Sequence, residues 1–278
     1  MTTDLLLSHS QVDNYQTCGE RYRLEKVARV PRVPGWSLVG GSAVHSVTEA
    51  ADLTSFGVPL EEGQTTDFEE AFYLEIERRK AASPDFPPET WHRAGRASKA
   101  NPNKEDMKWW LESGPIFVRN YSTWLNSSPW QVYVHDGVPA VELALEGEIG
   151  GVRVRGYLDR VMEHMVTGEL AIVDVKTGSR DPASNGQLGT YKLLLDATDY
   201  PPVKWGFYAM VRSASSTIPA ELAPYAAGLH YTYETVVKGV EAGLYLPSRG
   251  PLCNSCGVRD YCWAVGGELA EGVAPFKA

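Results

Sequence analysis

GYLDRVMEHMVTGELAIVDVKTGSRDPASNGQLGTY, residues 156–191, is the stretch whose reading decides the fold. Thr167-Gly168 marks a turn, so two strands meet there. The second, LAIVDVK, is almost continuously apolar, as for a strand in the middle of a sheet. Asp159 and Asp174 fall on these neighbouring strands. Lys176 follows Asp174 by two residues and therefore shares its strand face. The segment SNGQLGTYKLLLDA reads as a helix, and Gln187 and Tyr191, four apart, share one of its faces.

Working outward, VELALEGEI alternates apolar and acidic residues with the period of a strand. Gly150-Gly151 makes a hairpin turn, and VRVRGYLDRVME returns as its partner. VKWGFYAMVRS reads as a further strand, and YTYETVVKGVEAG (231–243) as a helix. The last residues read as a loose tail. Helices first, then strands with a helix between them, predict a mixed central sheet flanked by helices, an α/β class.

Residues 8–30 read as one capped helix with Ser8 or Ser10 as N-cap, and Val12 and Tyr15 on one face. Its second half carries Arg21, Arg23, Lys26 and Arg29, with Arg32 beyond. Such a stripe is either a solvated helix face or a phosphate path. Pro31, Pro34 and Gly35 end the helix. LVGGSAVHSVTEAAD (38–52) then takes a helical rhythm with His45 inside it. A lone helical histidine is usually a satisfied polar group, so His45 gains meaning only from its neighbours in space.

Residues 53–135 read as a mostly helical insertion. FEEAFYLEIERRK is one helix, and EDMKWWLESGPIFVRNYSTWL is one or two more, after a proline-rich loop at 84–88. Basic residues here interleave with Trp91, Trp109, Trp110, Trp124 and Trp130. That suits a single-strand track on which bases stack. Core packing is the plainer reading for most of these tryptophans.

With 278 residues, the chain is expected to form a single domain with 136–215 as the catalytic sheet core. A net charge of −9 speaks against coating nucleic acid through bulk charge, but not against a local basic groove. The N-terminus MTTDLLLSHSQ lacks a basic region before its three leucines, no apolar run spans a bilayer, and a cytoplasmic protein without membrane contact is expected. No G-x4-G-K-[ST] phosphate loop occurs, so the chain is not itself a helicase motor.

Two carboxylates and a lysine in this order suit phosphodiester hydrolysis. Oxygen ligands hold Mg²⁺ or Mn²⁺, which polarises the phosphoryl group and lowers the pKa of a bound water. Asp159 and Asp174 fit as ligands, with the Val175 carbonyl as a further one. Lys176 would orient the water and stabilise developing negative charge. D-x-K alone is short enough to arise by chance. The four cysteines, Cys18, Cys253, Cys256 and Cys262, suggest metal rather than disulfides in a cytosolic chain, and thiolates suit either Zn²⁺ or an iron–sulfur cluster.

The ordered set, a helical histidine, G-x-x-D, D-x-K-T-G and Q-x3-Y, resembles the PD-(D/E)XK nuclease superfamily in its RecB-like branch. The resemblance covers the start of the chain and 140–265 well, and 53–135 poorly. It implies a restriction-endonuclease-like core in which His45, Asp159 and Asp174 are metal ligands and Lys176 is the catalytic lysine. Gln187 and Tyr191 would position DNA. Glu142 matches an acidic position on the preceding strand. The C-x2-C-x5-C triplet with a distant Cys18 resembles the iron–sulfur members, including the fourth Cas protein family and the AddB nuclease domain. There a 4Fe–4S cluster clasps the N-terminal helix to the C-terminus, in a structural role. Gly19 departs from the proline usual after the first cysteine. The implied activity is a DNA exonuclease on single-stranded or free ends, 5′ to 3′, in recombination, repair or end processing, with a helicase or recombination partner. A non-catalytic DNA adaptor and a nuclease that trims DNA for CRISPR adaptation are the alternatives.

Overall fold

The computed structural model describes residues 5–99 and 102–274. The elements begin with β1 (Leu6–Leu7), α1 (His9–Thr17) and α2 (Gly19–Tyr22), which continues as a π-helical turn over Arg23–Val27. Next come α3 (Trp36–Ser55), α4 (Phe68–Ala82) and α5 (Met107–Ser127). The strands β2 (Trp130–Val132), β3 (Val134–His135), β4 (Val138–Pro139), β5 (Val141–Ile149), β6 (Val152–His164) and β7 (Leu170–Lys176) follow. After them run α6 (Gly186–Leu195), β8 (Trp205–Met210), β9 (Ser215–Ser216), β10 (Ala220–Glu221), α7 (Ala223–Ala226) and α8 (Leu229–Glu241). The expected loose tail overlaps 275–278, which lie outside the described residues.

The central sheet is mixed. β6 pairs antiparallel with β5 and β7, and β7 pairs parallel with β8. The β5–β6 turn has φ of 61° at Gly150 and 74° at Gly151, the left-handed pair that a two-residue hairpin demands. β5 pairs with residues 152–160 of β6, and β1 with Arg153 and Val154, so β1 must lie on the opposite edge from β5. β7 joins that same edge only from Arg160 onward. Between Val154 and Arg160, β6 therefore has no second neighbour among the described residues, and the sheet carries a break in its middle.

Helices cover both faces. α6, α8 and α1 pack on one side, where Leu188, Leu194, Tyr233 and Val12 share a core with Val154, Leu158 and Ile172. α3, α4 and α5 form the other layer, in which Trp36, Phe72, Trp110 and Trp124 pack on Val173, Val175 and Phe207. Trp91, Trp110 and Trp124 are buried, and Trp109 and Trp130 pack against the same core. The tryptophans of this segment are core residues rather than a base-stacking track. Gly40 makes the close approach possible: a β-carbon there would stand 2.0 Å from the Trp110 ring.

One predicted element divides. The expected single helix over 8–30 is broken at Cys18, which is extended (φ −162°, ψ 103°). Gly19 leaves the helical ladder and donates its N–H to Leu246 O at 2.9 Å. A β-carbon on Gly19 would lie 2.8 Å from Leu246 N, so the chain's C-terminal segment presses directly on this break. Ser8 is the N-cap, accepting from Gln11 N.

Candidate active site

The break in the sheet is where the sequence motifs converge. Asp159 is the last residue of β6 before its pairing with β7 begins, and its carboxylate fills the opening. Asp159 Oδ2 accepts the Val175 N–H at 2.7 Å, in place of the backbone partner that β7 lacks there. Its Oδ2 also lies 3.3 Å from His45 Nδ1 on α3. Val211 N–H donates to Lys176 O on the β8 side at 3.2 Å. Successive peptide groups of a strand alternate in direction, so the Val175 carbonyl faces the opposite way, toward the opening.

Asp174 and Lys176 project together from β7. Lys176 Nζ is 2.6 Å from Asp174 Oδ2 and donates to Gln187 Oε1 at 2.9 Å. Gln187 Nε2 in turn donates to Tyr191 OH at 2.8 Å. The i, i+4 pair on α6 is thus turned inward as a bracket for the lysine. Tyr191 is buried, and its ring occupies the space left by Gly156, which accounts for the glycine in G-x-x-D. The Lys176 ammonium also stands 5.6 Å over the Tyr208 ring.

The carboxylates are held in unequal states. Burial, followed by the charge of Asp159, pushes Asp174 up to about 6. Burial opposes ionisation of Asp159 too, but His45 and Arg160 outweigh it and hold this carboxyl below its ordinary value. His45 is raised, against its own burial, by Asp159. Glu142, flagged only through the resemblance, sits beside the site: burial and the charges of Asp159 and Glu49 push it up to about 7. Glu49 was missed in the sequence. It lies on α3 one turn beyond His45, is raised by burial and by Asp159, and accepts a hydrogen bond from Gln64 at 3.0 Å. The i, i+4 spacing from His45 was the available signal.

A second feature unannounced in the sequence lies beneath. Arg160 is buried; its Nε donates to Asp52 Oδ2 at 2.5 Å and its Nη1 to the Asp159 carbonyl at 2.6 Å. Tyr121 OH donates to the same Asp52 oxygen at 2.6 Å. α3, α5 and β6 are joined at one point, directly behind the His45–Asp159 contact.

The donor set of one imidazole, two carboxylates and a free carbonyl is that of a hard divalent cation. Asp174 Oδ2 is buried with an ion pair but no directed hydrogen bond, so it retains lone-pair capacity for such an ion. The groups fit. Asp174 is turned toward Lys176, and His45, Asp159 and Asp174 do not all lie within 4.8 Å of one another. Among the described residues, His135, Asp136 and Asp199 do, but both aspartates there are exposed and surface groupings of this kind are common without an ion.

The cysteine clasp is corrected in one respect. The two chain segments do meet: Ser248 N–H donates to Cys18 Sγ at 3.4 Å, and Cys253 Sγ donates to Ser248 O at 3.9 Å. A cavity of about 280 Å³ touches Cys18, Cys253 and Cys256. The four sulfurs nevertheless do not cluster, since no three lie within 4.8 Å of one another. A tetrahedral zinc, with Zn–S of about 2.3 Å, would need them closer. Two of the four thiols are instead engaged with the Ser248 peptide. The structure thus does not support the 4Fe–4S expectation.

The sequence profile of the PD-(D/E)XK nuclease superfamily matches residues 6–263. The chain belongs to this superfamily. It is 28% identical over 281 aligned positions to the Gene 69 protein of Mycobacterium phage D29, covering 92% of this chain and 96% of that one. With the Gene 69 protein of Mycobacterium phage L5 it is 28% identical over 299 positions, again covering 92% and 96%. A crystal structure from Eubacterium rectale, of a protein described as a candidate exonuclease, has a TM-score of 0.45 and 17% identity, covering 90% of this chain and 86% of that one. Nucleases of the PD-(D/E)XK superfamily use divalent metals and bind DNA. Among the described residues no helix is long and apolar enough to cross a membrane.

Proposed function

We propose that this PD-(D/E)XK chain is a metal-dependent DNA exonuclease acting on free, single-stranded ends, digesting 5′ to 3′ in recombination, repair or end processing. The observation that carries the catalytic reading is Lys176 held at 2.6 Å from Asp174 and 2.9 Å from Gln187, beside the Asp159–His45 pair. An adaptor that only bound DNA would have no need of a bracketed lysine next to two carboxylates.

His45, Asp159, Asp174 and the Val175 carbonyl would hold Mn²⁺ or Mg²⁺. Such an ion, when bound there, would neutralise phosphoryl charge and lower the pKa of a water. Lys176 points its ammonium at the place where negative charge develops on the phosphoryl oxygens, and stabilises it there. Gln187 fixes the lysine's direction, and Tyr191 fixes Gln187 and through it the site beside the DNA. Burial of Asp159 and Asp174 excludes water from one side of the centre and strengthens each of these interactions.

The test uses end-labelled single- and double-stranded DNA with Mn²⁺, substrates blocked at either end, and wild type beside Asp174→Ala and Lys176→Ala. Release of mononucleotides from open single strands by wild type alone supports the proposal. Wild type indistinguishable from both variants ends it. For the cysteine corner, the resemblance proposes a 4Fe–4S cluster on Cys18, Cys253, Cys256 and Cys262. The meeting of the two chain segments supports it and the spread of the sulfurs speaks against it. Iron, sulfide and zinc analysis after anaerobic purification decides, and a colourless protein without iron removes the cluster.

A further inference from the structure

The break along β6 opens into a cavity of about 300 Å³ beside the Lys176–Gln187–Tyr191 bracket, at the small end of the range for ligand pockets. Its walls include Ser8 and His9 of the first helical turn, Arg155 and Tyr157 of β6, and Gln187 and Tyr191 of α6. Of these positions the sequence singles out Gln187 and Tyr191 for the site, and Ser8 only as a helix cap.

Four observations give the cavity a chemical preference. In a chain of net charge −9, Arg155 has no carboxylate partner among the described residues; Glu146, opposite it in the β5–β6 register, is taken by Arg153 at 2.7 Å. Tyr157 lines the cavity and is 50% exposed, with the Arg155 guanidinium 6.0 Å from its ring centroid, an arrangement of cation and ring open to a flat π-system. Arg155, Tyr157 and Asp159 alternate along one strand, so they share a face, at spacings of about 6.6 Å per step. His9 stands at the inner wall with Nδ1 at 3.2 Å from Thr190 Oγ1, and burial lowers its pKa, while Arg155 and Lys176 bring positive charge to the two ends of the cavity.

We infer that this cavity seats the nucleotide next to the scissile phosphate, with its own phosphate on Arg155 and Ser8 and its base stacked on Tyr157. The inference rests on the nuclease reading for what the neighbouring centre does to that strand. It makes the break in the sheet the entry for a single strand, which leads along β6 from Arg155 past Tyr157 to Asp159. Stacking and a phosphate contact are tolerant of base identity, so the pocket grips any nucleotide and not a particular base.

The test places 2-aminopurine at the end of a single-stranded oligonucleotide and measures its quenching on binding, with Ca²⁺ in place of Mn²⁺. Wild type and Tyr157→Phe are expected to quench it, and Tyr157→Ala to lose the quenching. Arg155→Gln is expected to weaken binding about tenfold or more, through loss of a charge-assisted contact. Lys80→Gln, on α4 and paired with Glu77, serves as the charge control and should bind as wild type does. Quenching by Tyr157→Ala equal to wild type, or Arg155→Gln binding within twofold of it, overturns the subsite. The fluorescence arm is read without any cutting. Wild type that quenches but releases nothing in Mn²⁺ therefore defeats the nuclease reading alone.

Discussion

The ring of Tyr191 lies 2.9 Å from where a β-carbon on residue 156 would stand. Gly156 is therefore the seat of the ring that fixes Gln187, and through Gln187 the Lys176 ammonium. Gly156→Ala is expected to cost about 1–3 kcal/mol, because the ring and the neighbouring Leu194 must shift. Adding Tyr191→Leu should cost less than the sum of the two single changes, since both remove the same contact. Denaturant unfolding of the three variants measures this, and strict additivity would refute the packing account.

The bracket around Lys176 has a kinetic consequence. Gln187→Ala leaves the ammonium free to swing toward Asp174 alone, and turnover should fall about 10–100-fold, as for other supporting groups around a metal centre. Because Gln187 acts through the lysine, kcat should carry most of the loss and KM little. A loss carried by KM would mean that Gln187 contacts DNA directly.

Stability should depend on pH in a direction set by two carboxyls. Asp174 and Glu142 have folded values of about 6 and about 7, above the ordinary 3.8 and 4.5. The folded state thus holds more protons than the unfolded one across that window, and stability falls as pH rises from about 4 through about 7. Thermal unfolding of the metal-free protein at stepped pH should show this decline, and Glu142→Gln should flatten its upper part. Mn²⁺ should raise the melting temperature more at pH 8 than at pH 5. Equal shifts at both would refute the assignment of Asp174 to the metal site.

Arg160 offers a structural test of the support behind Asp159. Arg160→Met strands the Asp52 carboxylate in the core and should destabilise by about 3–5 kcal/mol. Replacing both partners, Arg160→Met with Asp52→Leu, should recover part of that loss. No recovery in chemical denaturation would show that Arg160 acts through packing alone.

The strands and helices around the site were legible for physical reasons. Alternation in VELALEGEI, the apolar run LAIVDVK and the Gly150-Gly151 turn are local properties, and each became the expected element. The order His45, Asp159, Asp174, Lys176, Gln187, Tyr191 is also local chemistry strung along the chain, and the fold gathers it around one opening. The break in the helix over 8–30 is not legible locally, because nothing near Cys18 announces that Leu246 will press on Gly19 from the far end of the chain.

Residue types and periods were enough to name the α/β class, the paired carboxylates and the lysine two positions on, because side-chain direction in a strand or helix depends only on spacing. Pairings across the chain needed the folded molecule. Arg160 meets Asp52 across 108 positions, and Glu49 nears Asp159 only once α3 is laid on the sheet. The break between β1 and β7 is of the same kind. It exists because two strands share one edge of β6 without meeting, and no run of residues encodes the absence of a neighbour.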